Sequence, residues 1–223
     1  ALGALVGALR ANVAHPSVQA QACWAVRSVC AGTDAAGRAR KQHAVECGAL
    51  AALAAAMRAH PAHAAVQEAA CRALANICNG DDDAGLARAQ QADGVGALEA
   101  AARAMHAHAD VAAVQDAACR ALANMCVGSG HAGRARKQRA AGAHALEAIT
   151  AAMDRHASSA AVAENACMAL NNICVGADAE ADARRAAAVS AGARIAAATL
   201  QRAHPTHAGV KRWSAVVLGM LHG

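Results

Sequence analysis

The chain has 223 residues, 57% hydrophobic but only 1% aromatic, with two Trp and neither Phe nor Tyr. That excludes the aromatic-filled single core usual at this size and favours thin layers of small apolar side chains between closely stacked helices. The net charge of +5 falls short of the basic excess expected of a dedicated polyanion binder, and no uninterrupted apolar run reaches the ~18 residues of a membrane span.

The opening ALGALVGALRANVAH has the look of a secretory leader, but Leu2, Leu5, Leu9 and Arg10 fall one period before Leu50, Leu53, Met57 and Arg58. It is therefore read as a repeat helix and not as a targeting signal. A second helix, SVQAQACWAVRSVCAG over Ser17–Gly32, follows it. Residues 1–32 thus hold the second and third helices of a three-helix unit whose first helix is missing. With no initiating Met, the chain reads as a piece of a longer protein.

The clearest copy of the last helix is Ala65–Gly80, AVQEAACRALANICNG. Its next copy, Ala113–Gly128, differs only at Asp116, Met125 and Val127, and a more divergent one spans Ala161–Gly176. Cys23, Cys71, Cys119 and Cys167 mark an offset of 48 residues. Such a fixed period signals stacked supersecondary units. Val66, Ala70, Cys71, Leu74, Ile77 and Cys78 recur at three- and four-residue steps, one apolar face of a helix. Gly32, Gly80, Gly128 and Gly176 follow the last apolar positions, where a left-handed residue stops a helix. Alanine-rich sequence supports helix throughout.

The repeating frame predicts units 33–80, 81–128, 129–176 and 177–223 in one continuous domain, with about fourteen helices in all. First helices are expected near Gly37–Glu46, Gly85–Gln91, Gly133–Ala141 and Asp182–Ser190. Asp34, Asp81–Asp83, Ser129 and Asp178 stand ready to cap them. Gly48, Gly96 and Gly192 mark the turn into the second helix; His144 takes the fourth place, where the neighbouring Gly142 is expected to serve.

Three recurrent polar features invite functional readings. His60, His108, His156 and His204 break each second helix from the third. A metal ladder is disfavoured because successive copies are separated by a helix spacing of roughly 8–10 Å, and a helix C-terminus welcomes an imidazole. The loops GTDAAGRARKQ and GSGHAGRARKQ carry Arg38, Arg40, Lys41, Arg134, Arg136 and Lys137, with Arg139 just beyond. Lacking interleaved aromatics, they read first as a solvated helix face and second as a nucleic-acid surface. Of the nine Cys, eight form pairs seven apart on one helix, about 10 Å along its axis. That is too far for a disulfide and wrong for structural zinc, so buried thiols in a reducing compartment are expected.

VQEAACRALANIC resembles the third helix of an armadillo repeat, patterned roughly V-Q-E-A-A-L-W-A-L-S-N-L-A, and ARKQHAVECGALAALAAAMRAH resembles the first two. The resemblance covers essentially the whole chain. HEAT-type repeats are the near alternative and usually lack the leucine–x–asparagine ending. The resemblance implies an all-α, right-handed superhelix of about 4.5 repeats with third helices lining a concave groove. The family's ligand-holding Asn is matched by Asn76, Asn124 and Asn172, with Ser28 in the first copy and Met220 in the last. The family's Trp position holds Trp24, then Arg72, Arg120, Met168 and Val216. Importin-alpha-type members grip basic signals through paired Trp and Asn, a pattern this chain departs from. Arginines in the groove look more like beta-catenin, which implies acidic or phosphorylated partners.

The expected binding residues are therefore Trp24, Ser28, Arg72, Asn76, Arg120, Asn124, Met168 and Asn172, facing an extended peptide in the cytoplasm or nucleus. Glycine-rich phosphate loops, GxSxG and HExxH are missing from the sequence, so neither catalysis nor a cofactor is expected. A purely structural spacer is the alternative reading.

Overall fold

A computed structural model describes residues 1–222 as fourteen helices joined by short turns, with no strand among those residues. The partial first unit is α1 (Leu2–Ala11) and α2 (Pro16–Val29). Then come α3 (Ala35–Glu46), α4 (Ala49–Ala59) and α5 (Ala64–Ile77), followed by α6 (Asp83–Gly94), α7 (Ala97–Ala107) and α8 (Ala112–Met125). The next unit is α9 (His131–Gly142), α10 (Ala145–Arg155) and α11 (Ala160–Cys174), and the last is α12 (Ala179–Ser190), α13 (Ala193–Ala203) and α14 (Ala208–Met220).

The third helices α2, α5, α8, α11 and α14 form one layer, each packed on the next, and the second helices α1, α4, α7, α10 and α13 form another. Contact is closer between third helices than between second helices. The core between the layers is continuous along the array. Leu53, Leu74, Ile77, Leu98, Leu122 and Leu146 are all fully or almost fully buried within it. Alanine fills most of the rest, which lets helix backbones approach closely without large side chains between them.

The turn into the second helix is left-handed at Gly48, Gly96 and Gly192, with φ of 81°, 75° and 93°. In the fourth unit His144 itself takes φ of 58°, while Gly142 is the last residue of α9. The expected rescue by Gly142 is therefore corrected: the turn geometry of the array outweighs the cost of a side chain at positive φ. Asp34, Asp82 and Asp178 cap α3, α6 and α12 by accepting from Gly37, Gly85 and Ala181 N–H groups. Ser129 does not cap; Gly130 occupies the N-cap of α9.

Candidate binding groove

Four ladders of long polar side chains tie each unit to itself and to its neighbour. Gln19, Gln67 and Gln115 are buried, and each donates Nε2 to two main-chain oxygens at the end of the preceding second helix. For Gln67 these are Met57 and His60, at 2.9 and 2.8 Å. Helix C-termini leave such carbonyls without intrahelical donors, so the glutamines serve as side-chain caps.

The histidines act between units. Nε2 of His60, His108, His156 and His204 lies 2.7–2.8 Å from the main-chain oxygen of Val13, Pro61, Ala109 and Ala157. Each Nε2 therefore carries the hydrogen. Their recurrence is accounted for by stapling consecutive repeats.

The arginine-rich loops differ most from expectation. Arg88, Arg136 and Arg184 are buried almost completely, as are Lys41 and Lys137. Arg136 donates Nε to Met125 and one terminal nitrogen to Val127, both at 2.7 Å, capping the end of α8. Its other terminal nitrogen donates to Gln90 Oε1 of the preceding unit at 2.9 Å. Arg40, Arg88 and Arg184 make the equivalent Nε bond to Val29, Ile77 and Ile173. Burial and nearby Arg88 or Arg184 push the Lys41 and Lys137 ammonium groups below their ordinary range, burial being the larger cause. The buried arginines and Lys137 are turned inward to satisfy carbonyls. The solvated-face reading is corrected for the buried cations, while Arg38, Arg134 and Arg139 stay exposed as that reading expected.

The residues expected to bind a ligand lie along α2, α5, α8 and α11. Asn76, Asn124 and Asn172 are half-buried. Each donates Nδ2 to a main-chain oxygen of the preceding third helix: Arg27 at 3.0 Å, Ala75 at 2.8 Å and Ala123 at 2.9 Å. One end of each amide is thus fixed between repeats. Among the described residues no donor meets Oδ1 of Asn76 or Asn124, and neither is a buried orphan, so both reach the protein surface. Asn172 Oδ1 accepts from Asn171 at 3.1 Å.

Arg72 is shared between Glu68 at 3.0 Å and Asp116 of the next unit at 3.1 Å. Its guanidinium also stands 5.9 Å from the Trp24 ring, which carries Arg27 at 5.0 Å. Arg120, by contrast, is exposed and has no ion-pair partner among the described residues. Asp116, which its place on α8 would offer it, is held by Arg72 and by Asn165 at 2.6 Å. Ser28 is exposed and its hydroxyl donates to Trp24 O of its own helix at 3.0 Å. Met168 is half-buried on α11.

Residues 38–79 match the family model of the armadillo/beta-catenin-like repeat. These residues form an armadillo repeat. The other units reproduce its helices at the same period, so the described residues form an all-helical α-solenoid. No curated protein and no solved structure matches it. Among the described residues no helix is long and apolar enough to cross a membrane.

The thiols sit in the core. All nine cysteines are free, and eight are buried. Burial pushes Cys23, Cys71, Cys78, Cys126, Cys167 and Cys174 up to about 12 and Cys30 to about 11. Such groups are protonated, poorly nucleophilic packing elements.

Proposed function

We propose that the solenoid is a protein-interaction scaffold in which an extended segment of a partner lies along the third helices. The observation that carries this reading is the amide ladder. Each carboxamide is oriented by its bond to the neighbouring helix, and Oδ1 of Asn76 and Asn124 is left as an acceptor at the groove surface. A peptide N–H is the complementary donor. Third helices roughly 10 Å apart meet an extended chain, which rises about 3.3 Å per residue, every third residue or so.

Arg120 supplies the cation for an acidic or phosphorylated side chain, which it can hold through two parallel bonds. Arg72 contributes less, because Glu68 and Asp116 already neutralise it. Trp24 and Met168 offer apolar surface towards the two flanks. A spacer reading is favoured by the same tethers, since a ladder that only joins repeats would also recur.

Fluorescence anisotropy with labelled acidic and phosphorylated peptides separates the two. Binding weakened by Arg120→Glu, with helix content unchanged, supports the groove. Affinity indifferent to both Arg120→Glu and Asn124→Ala favours the spacer.

A further inference from the structure

The second-helix layer carries a row of clefts near the C-terminal ends of its helices, between α1 and α4, α4 and α7, and α7 and α10. Those between α1 and α4 and between α7 and α10 hold about 140 and 80 Å³. The one between α4 and α7 holds about 650 Å³. Its floor is Met57, Ala100 and Ala104, and Arg58, Arg103 and His106 stand at its rim. Arg103 falls where the smaller clefts have Ala55 and Ala151, so a long side chain raises one wall where a methyl group leaves the others shallow.

Three properties of this cleft point to one kind of occupant. The floor is apolar and wide enough for a leucine-sized side chain. The rim is cationic, and Arg58 is held beside it by a 3.2 Å bond to Val95 O. At the base, Gln67 is only 2% exposed. Both of its Nε2 protons are spent on the Met57 and His60 carbonyls, which leaves Oε1 without a protein donor among the described residues.

A ligand that fills the cleft must therefore bring an apolar body, negative charge and a hydrogen-bond donor. A fatty carboxylate lacks the donor, and a basic segment meets the wrong charge. A peptide has all three when a leucine is flanked by Asp or Glu: side chain for the floor, main-chain N–H for Gln67, and carboxylates for Arg58 and Arg103. We infer that the α4–α7 cleft is a docking site for an acidic, leucine-bearing segment of a partner protein, on the layer away from the third-helix groove. It does not depend on that groove being occupied.

The six methionines provide the readout, because Met57 lies in this cleft and Met168 lies on a third helix. The protein carrying ¹³C-methyl methionine is titrated with the blocked peptide Glu-Asp-Glu-Leu-Leu-Asp-Glu-Asp, and with a counterpart in which every acid is Lys. The expected result is a saturable shift of the Met57 methyl by the acidic peptide alone, with Met168 unmoved. Arg103→Glu should weaken that binding at least tenfold. Ala107→Phe, an exposed change at the cleft mouth, should abolish it, with helix content preserved in both. The inference is overturned if Met57 does not shift, if the lysine peptide shifts it equally, or if both variants bind as the parent does. A shift confined to Met168 also overturns it and assigns the peptide to the groove.

Discussion

Nδ2 of Asn124 donates to the main-chain oxygen of Ala75, 2.8 Å away on the third helix of the preceding unit. A bond between successive third helices joins residues 49 apart in the chain, so it adds to the interface energy that makes a solenoid cooperative. Asn124→Ala is expected to lower stability by about 1 kcal/mol, the usual net worth of such a bond. Asn124→Asp should cost more, because it faces an acceptor with an acceptor. Urea denaturation of the two variants checks the order; equal stability of all three proteins would mean the tether is not formed in solution.

The fold was legible because its determinants are local and repeated. Helical periodicity in AVQEAACRALANICNG and the glycine that ends it act within a unit and recur at the 48-residue offset, and the second helix Ala49–Ala59 starts directly after the Gly48 turn that marks it. The orientation of long polar side chains was not legible in the same way. GRARKQ has no apolar face to betray burial, and Arg136 is turned inward by carbonyls at the end of α8, eleven residues back. The usable signal was there: Arg40, Arg88, Arg136 and Arg184 recur at one period behind loops that otherwise vary. His144 was misjudged for the same reason, since the turn it occupies is imposed by packing of the flanking helices. For the groove, spacing placed the asparagines on one face. It could not show that their amides would be half spent on the neighbouring helix.

The inward arginines should be among the costliest polar residues to remove. Arg136→Ala strips donors from the Met125 and Val127 carbonyls and from Gln90 at once. Charge-assisted bonds are worth about 1.5–3 kcal/mol each, and buried acceptors left unpaired add to the loss. A destabilisation of about 3 kcal/mol is expected. Arg136→Lys should recover only part of it, because an ammonium cannot reproduce the guanidinium fork. Thermal melts of the two variants decide; a lysine variant as stable as the parent would mean that one point charge suffices.

Leu74 and Leu122 hold equivalent places in the inter-layer core and are fully buried. Replacing either by Ala should cost about 2–5 kcal/mol, the range for a buried leucine whose cavity does not collapse. The alanines around them have little side chain with which to close the gap, which favours the upper half of that range. A loss below 1 kcal/mol in denaturant titrations would mean that neighbouring repeats slide together to fill the space.

Alkaline pH should unfold the chain through its thiols. The buried cysteines hold their protons well above the ordinary 9.0, to about 12 for Cys78 and Cys126. The unfolded chain therefore loses these protons first, so stability is complete below pH 9 and falls as pH rises from 9 towards 12. One pH unit above 9, each thiol removes about 1 kcal/mol. Eight such thiols together remove a sum on the order of 10 kcal/mol, comparable with the whole stability of an ordinary domain. Lys41 and Lys137 act in the opposite sense, since their lowered values favour the fold as pH climbs towards 10.5, but they are two groups against eight. The urea midpoint should therefore decline steeply between pH 9 and 10 in the presence of reductant. Cys78→Ala and Cys126→Ala together should lower stability at pH 7, by leaving small cavities, yet flatten that decline. A midpoint independent of pH over this interval would mean that the thiols are solvated and that the core is looser than its packing shows.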